Sequence, residues 1–425
     1  MKLRKVIEKI KPTKEETRAI TKIAEGIIEK LRKKTSCEIV LAGSVAKGTF
    51  LRGEGDIDIF VLFKKKMEKN RMKEILEELF KKAFPGLSYQ MNYAEHPYIR
   101  FHYEGKRVDL VPAYKMAAGE RLLTAVDRSV LHTKFIKKTL KKKDEVLLLK
   151  KFLKTQGLYG AEIKTEGFSG YLCELLIVKY KTFANLMRAA AGWKFPVIID
   201  IKRYYKKSEY EELIKRFNKS LIVIDPTDKN RNVAAPVSEE NIKRFKLLAR
   251  RFIKKPSEDY FFKQKSFEEK IKEMKNPLII RFDKPNVVDD ILWGQTKKLM
   301  STLERELQEY EVKKIIADSD EKQIIIAIAT KKKTIGGKIE IKGPPVSMKE
   351  HVKKFKEAHK NAKFFEKDGF VFAVEKKKEE NLKDKVKDLI KREANRFTHL
   401  RPFLALCFLE GKKAREPKNP EVNPR

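Results

Sequence analysis

The run LAGSVAKGTFLRGEGDIDIFVLF, residues 41–63, restricts the architecture of this chain more than any other stretch. Gly43-Ser44 leaves an apolar, strand-like segment, and twelve residues after Ser44 come Asp56, Ile57 and Asp58. Side chains alternate across a strand, so Asp56, Asp58, Phe60 and Leu62 fall on one face and Ile57, Ile59, Val61 and Phe63 on the other. Two carboxylates sharing a face beside apolar residues repel unless a proton or a divalent cation comes between them. Oxygen ligands suit a hard ion such as Mg²⁺, and phosphates complete its shell. An isolated Asp-x-Asp is also what the solvated face of an edge strand looks like. Here it is accompanied by a Gly-Ser turn and by Asp109 in RVDLVPAY, a third acid on a later strand. Three ligating carboxylates and a phosphate-cradling turn are the parts needed for two-metal displacement at phosphorus, that is, nucleotidyl transfer.

At 425 residues the chain is long enough for about three domains. Thr13 and Glu16 make a capping box ahead of Ile20, Ile23, Ala24, Ile27, Ile28 and Leu31, a helical stripe that packs on a sheet beginning at Cys37–Leu41. A helix over 71–84 is closed by Pro85-Gly86, and Tyr103-Glu104-Gly105-Lys106 forms a hairpin that puts Arg107, Asp109 and Val111 on one face. A second, helical domain starts at Asp144. It contains a helix ending at Gly157, one capped by Ser169, short buried segments in VIID and SLIVID, a turn at Asp225–Asp228 and a helix capped by Ser238. Lys254-Lys255-Pro256-Ser257 reads as a linker. The last third is α+β, with strands in NPLIIRF, VKKIIAD, KQIIIAIA, GKIEIKG and FVFAVEKK, helices over 290–311 and 347–361, and a turn at Asp368-Gly369. The terminal GKKAREPKNPEVNPR has no pattern from which to build a core and is expected to be disordered.

Lys and Arg number 98 against 60 Asp and Glu, a formal charge of +38 that calls for a large polyanion. No apolar run approaches the roughly 18 residues of a spanning helix, so nucleic acid is preferred to a membrane. Lys141–Lys143, Lys331–Lys333 and Lys376–Lys378 add to a phosphate-tracking surface whose affinity falls with salt. The charged opening carries no secretory pattern. Cys37, Cys173 and Cys407 lie far apart and read as buried apolar residues in a reducing cytoplasm.

GSVAKGTFLRGEGDIDIFVLF, RVDLVPAY, LYGAEIKTEGFSGYLCELLIVKY and DPTDKNRNVAA together closely resemble the class I, archaeal-type CCA-adding enzymes, tRNA nucleotidyltransferases of the DNA polymerase β superfamily. The first motif marks only the superfamily; its conjunction with the others is far more specific. The resemblance covers about Val40 to Arg251 and runs more loosely through IKGPPVSMKEH to the end. It implies that Asp56, Asp58 and Asp109 are the catalytic, metal-binding acids and hold two Mg²⁺ ions, with Asp109 near the tRNA 3′-hydroxyl. Ser44 would bond the triphosphate, with Gly43 letting the backbone come close. Lys150 and Tyr159 are further triphosphate contacts by the same carry-over, and Lys47 stands where relatives are expected to have Arg, keeping the charge without the planar fork. Ser129 and His132 match a loop near the nucleotide. Arg231 would help read the incoming base together with phosphates of the tRNA; a salt bridge to Asp225 or Asp228 is its plain structural alternative.

The fold expected is therefore α/β plus α+β and multidomain. It comprises a polymerase-β-like nucleotidyltransferase head over 1–140, a mostly helical nucleotide-binding domain over 141–256, and a C-terminal tRNA-binding domain over 257–292 and 375–425 interrupted by a tail domain over 293–374. The implied partners are tRNA, held at its acceptor stem and TΨC arm, and CTP and ATP; the sequence leaves a homodimer open. Two rival readings remain at this level: another template-independent RNA nucleotidyltransferase, of the poly(A) polymerase or oligoadenylate synthetase type, and a non-catalytic RNA-binding protein.

Overall fold

A computed structural model describes residues 3–65, 67–93, 97–115, 126–398, 400, 402–403 and 405–408. The chain forms two compact units, Met1–Gln264 and Lys265–Arg425.

In the first unit, helix Lys14–Arg32 begins where the capping residues place it, with Thr13 Oγ1 accepting from Glu16 N at 3.0 Å. The reciprocal half of the box is diverted. Glu16 Oε1 accepts instead from Gly53 N at 2.7 Å, which ties the helix start to the loop leading into the acids. The stripe of Ile20, Ala24, Ile27, Ile28 and Leu31 is buried against a five-stranded sheet in the order β1-β2-β5-β4-β3. Its strands are β1 Glu38–Ala42, β2 Ile57–Phe63, β3 Gln90–Tyr93, β4 Pro97–Tyr103 and β5 Lys106–Tyr114. β2 and β5 are parallel and the other pairs antiparallel. Ile57, Ile59, Val61 and Phe63 face the helix layer, which includes helix Lys69–Ala83. Burying each such side chain contributes roughly 1.5–3 kcal/mol, and a one-residue slip would bury the acids instead, so the register is firmly set. The other face, with Ala42, Phe60, Leu62 and Ala113, packs on Val130 of helix Arg128–Thr139. The hairpin between β4 and β5 is made as expected, with Glu104 and Gly105 both at positive φ (48° and 70°).

The helical part follows from Lys143–Thr155, Gly170–Tyr180, Phe183–Ala191 and Glu239–Lys254, whose apolar residues form one core. Ser169 and Ser238 cap the second and fourth of these helices as read from the sequence. VIID and LIVID are parallel strands, β6 Val197–Asp200 and β7 Leu221–Asp225, and the Asp225–Asp228 turn leads into a third, β8 Asp228–Asn232. Two boundaries move. Helix Leu3–Ile10, expected in the head, sends Val6 and Ile10 into the helical core. The expected linker at 254–257 does not end the unit: Phe261 is fully buried, its carbonyl accepts from Thr155 Oγ1 at 2.7 Å, and Tyr260 stacks on Phe152. The aromatic pair after the Lys-Lys-Pro-Ser stretch outweighs the breaker signal within it.

In the second unit β9 Leu278–Asp283, β10 Val312–Ser319 and β11 Gln323–Thr330 form an antiparallel sheet in the order β10-β11-β9, covered on one face by helices Asp289–Glu306 and Leu382–Glu393. A separate sheet, β12 Thr334–Pro345, β13 Lys363–Lys367 and β14 Phe370–Asn381, runs β12-β14-β13 and turns at Asp368-Gly369, both at positive φ. Two further short strands, β15 Pro402–Phe403 and β16 Ala405–Phe408, pair with β9. The insertion expected over 293–374 is corrected by this pairing. Residue 293 lies inside a helix, and β10 and β11 share a sheet and core with β9, so the separately built piece is 334–381. The terminal stretch 411–425, expected to be disordered, falls outside the described residues. Cys173 is buried as expected, whereas Cys37 is half-buried and Cys407 exposed; all three are free thiols. Among the described residues no helix is long and apolar enough to cross a membrane.

Candidate active site

Parallel pairing of β2 with β5 sets Asp58 directly opposite Asp109, and the antiparallel register of β4 sets Arg100 opposite Asp109 in turn. Asp56 lies just before β2, one same-face step from Asp58 and beside Arg107, which stands one same-face step from Asp109. The three expected acids therefore belong to one face. Arg100 forks Asp109, with Nε to Oδ1 at 2.7 Å and a terminal nitrogen to Oδ2 at 2.8 Å, and Arg107 pairs with Asp56. These two arginines were not singled out from the sequence for this role; Arg107 was placed on the acid face, but its partner becomes visible only with the strand register. Burial, then the charges of Asp109 and Asp56, pushes the Asp58 carboxyl up to about 6.

Gly43 opens the five-residue helix Gly43–Lys47 at φ +67°. A Cβ there would overlap Asp58 Oδ2, so no other residue allows the turn to lie on the acid. Gly43→Ala is expected to cost about 2–4 kcal/mol through strain and displacement of Asp58, and to lower nucleotidyl transfer by about a hundredfold. Urea melts and single-turnover extension would check this; wild-type turnover would remove the claim. Ser44 follows, half-buried, with its carbonyl accepting from Thr49 N at 3.0 Å.

Lys47 and Lys150 are turned toward a residue that sequence reasoning passed over. Glu174, fully buried on helix Gly170–Tyr180, accepts from Lys47 Nζ at 2.7 Å and from Thr49 Oγ1 at 2.6 Å. Lys150 Nζ donates to the Thr49 carbonyl at 2.8 Å and lies 4.0 Å from Glu174. Its ammonium is buried, which holds its pKa below that of an ordinary lysine. A Cβ on Gly170 would lie 3.1 Å from the Tyr159 hydroxyl and 3.4 Å from Lys150 Nζ, so these two expected phosphate contacts converge on the start of that helix. An acid inside the otherwise apolar LCELLIV was the available signal for Glu174.

His132 and Arg231 also meet. Each donates to Asp225 Oδ2 at 2.8 Å, His132 through Nε2 and Arg231 through a terminal guanidinium nitrogen. The ring of His132 stacks on Tyr171 at 3.7 Å between centroids, and Lys47 Nζ is 6.0 Å from that same Tyr171 ring. Ser129 sits in the first turn of the His132 helix, its carbonyl accepting from Thr133 Oγ1 at 2.9 Å. Arg128, its neighbour, pairs with Asp228 at 3.3 Å, so of the two acids offered as plain partners for Arg231 the bond is to Asp225.

Among the described residues no three His, Cys, Asp or Glu side chains are gathered closely enough to hold a metal ion as they stand. The donor set nevertheless suits a hard divalent cation: it is all oxygen, and the mutual repulsion that raises Asp58 is what such a cation relieves.

Three family models match the chain. One, for a nucleotidyltransferase domain, covers residues 20–144; the second, described as tRNA nucleotidyltransferase, second domain, covers 144–262; the third, described as CCA-adding enzyme, C-terminal domain, covers 274–401. Over 412 residues the chain is 37% identical to the CCA-adding enzyme of Methanocaldococcus jannaschii, spanning 91% of this chain and 90% of that protein. It is 39% identical over 340 residues to that of Saccharolobus shibatae, with 78% of each chain covered, and 36% identical over 379 residues to that of Sulfurisphaera tokodaii, with 88% of each covered. Nucleotidyltransferase heads of the polymerase-β kind generally use divalent metal ions.

Proposed function

Because the chain belongs to the CCA-adding enzymes, we propose that it adds C, C and A to the 3′ end of tRNA without a nucleic-acid template, from CTP and ATP, releasing pyrophosphate. The observation that carries this reading is the adjacency of Asp58 and Asp109 across β2 and β5, beneath Gly43. Asp56, Asp58 and Asp109 are the residues that would hold two Mg²⁺ ions. When bound, these ions lower the pKa of the attacking hydroxyl and neutralise the leaving pyrophosphate.

Asp109 orients the tRNA 3′-hydroxyl, and Arg100 keeps that carboxylate in place through its two parallel bonds. Ser44 and the Gly43 backbone receive the triphosphate, with Lys47, Lys150 and Tyr159 as its flank. The two lysines share one carboxylate, Glu174, and so leave a net positive charge beside the phosphates. His132 and Arg231 face the base, with Ser129 on the same helix as His132. The charge of +38 supports a phosphate-tracking contact to the acceptor stem and TΨC arm, with the C-terminal unit divided into a body over 278–330 and 382–408 and a tail over 334–381. The free thiols accord with a cytoplasmic enzyme.

The test is extension of a tRNA lacking its CCA end, with each nucleoside triphosphate supplied singly and then together. Growth by two nucleotides with CTP alone and by a third when ATP is added is expected. Homopolymer growth from ATP alone would favour a poly(A)-type transferase, and an unchanged RNA length would favour a binding protein.

A further inference from the structure

Asp225 ends β7 with no exposed surface and, among the described residues, takes five donors, divided unequally between its two oxygens. Oδ1 accepts from Thr227 N at 2.9 Å, Thr227 Oγ1 at 2.8 Å and the Tyr171 hydroxyl at 3.2 Å. Among the described residues, Oδ2 accepts from His132 Nε2 and Arg231, both at 2.8 Å. One oxygen thus anchors the carboxylate while the other sets the orientation of two side chains from different elements, the helix Arg128–Thr139 and β8. Burial opposes ionisation, but the bonds from His132, Thr227 and Arg231 prevail and hold Asp225 well below the usual carboxylate range, so it acts only as an acceptor.

An acceptor-only partner forces the proton of a neutral imidazole onto Nε2 and leaves Nδ1 as an acceptor. His132 is kept toward the neutral form by burial, against the pull of Asp225. The same carboxylate holds the Arg231 guanidinium, which has donors only. A base meeting this pair finds one acceptor and one donor array. Cytosine and adenine each present an amino donor next to a ring-nitrogen acceptor, whereas uracil and guanine present a carbonyl acceptor next to a ring N–H donor. We propose that Asp225 is the positioning residue that sets the hydrogen-bond polarity of the base pocket, so that C and A are accepted and U and G refused. This rests on the reading of His132 and Arg231 as base-facing groups.

The experiment measures kcat/KM for CTP against UTP on a tRNA lacking CCA, and for ATP against GTP on one ending in CC. Asn at position 225 puts an amide N–H₂ against an obligate donor on one side or the other, which frees the imidazole tautomer. Asp225→Asn is expected to lower both ratios by about tenfold or more, chiefly by raising turnover of UTP and GTP relative to CTP and ATP. A uniform loss for all four nucleotides, with both ratios kept, would make Asp225 a packing residue and overturn the proposal. If Asp225→Asn fails to fold, the pair Tyr171→Phe and Thr227→Val, which strips two anchors from Oδ1, is read the same way, with ratios lowered about threefold expected and unchanged ratios overturning it. Arg231→Lys separates the two levels: ratios moved by Arg231→Lys and not by Asp225→Asn sink this proposal alone, while ratios moved by neither sink the base-facing reading beneath it.

Discussion

Replacement of Asp58 by Asn is expected to reduce CCA addition by about a thousandfold or more while leaving the protein folded and, in the presence of chelator, more stable at neutral pH. The activity loss follows from the position of Asp58 on the acid face, directly opposite Asp109 and one same-face step from Asp56. The stability gain follows from the sign of its titration. Burial and the two neighbouring acids raise the folded-state pKa from 3.8 to about 6, so the folded protein binds this proton more tightly than the unfolded chain. The associated stability is complete below about pH 4 and is lost as the pH rises through about 6. A shift of this size corresponds to at most about 3 kcal/mol, since one unit is about 1.4 kcal/mol. Chelated wild-type protein should therefore lose stability between pH 4 and 7 to an extent that Asp58→Asn does not, as read by thermal melts across that range. Equal melting temperatures for the two proteins at pH 7.5 would show that Asp58 is not held against its neighbours' charge. Retained extension of tRNA by the variant would remove Asp58 from the chemistry altogether.

How much of this was legible beforehand depended on the range over which each signal acts. The alternation of DIDIFVLF announced a strand with acids on one face, and the capping residues Thr13, Ser169 and Ser238 marked helix starts, because these are governed by neighbours within four residues. The membership of Asp109 in the acid face was also readable, since the hairpin at Glu104-Gly105 fixes the face of β5. What could not be read was partnership across the fold. Glu174 is 127 positions from Lys47, and Asp225 is 93 from His132; nothing local distinguishes either acid from a surface one except its apolar flanks. The same limit displaced the boundary expected at residue 293. β10 and β11 look like any apolar strands until their pairing with β9 is known, and KFFEK, charged at both ends, gave too short an alternation to be recognised as β13. Local rules thus placed the acids, and tertiary pairing placed the groups that hold them.

Glu174 provides the second large effect, on stability rather than on chemistry. Its carboxylate is the counter-charge to Lys47, whose side chain is 9% exposed against 0% for Glu174, and it also takes the Thr49 hydroxyl while Lys150 closes the network through the Thr49 carbonyl. Removing one member of a buried pair leaves the other charged and desolvated, which costs about 3–5 kcal/mol, whereas replacing both by apolar groups of similar size is close to neutral. Glu174→Ala should therefore destabilise the first unit by about 3–5 kcal/mol, and Glu174→Leu combined with Lys47→Met should recover most of that loss. The two tryptophans permit the measurement to be assigned: Trp193 belongs to the core of the first unit and Trp293 to a helix of the second, so a Trp293→Phe background leaves fluorescence from the first alone. Urea transitions in that background should shift strongly for the single variant and little for the double. If Lys47 flanks the triphosphate as proposed, the double variant should still be impaired in extension, with a raised KM for both CTP and ATP, because the lysine that Glu174 holds is gone. A single variant as stable as wild type would mean that Lys47 finds another partner, and the shared carboxylate would lose its claim to join the head to the helical core.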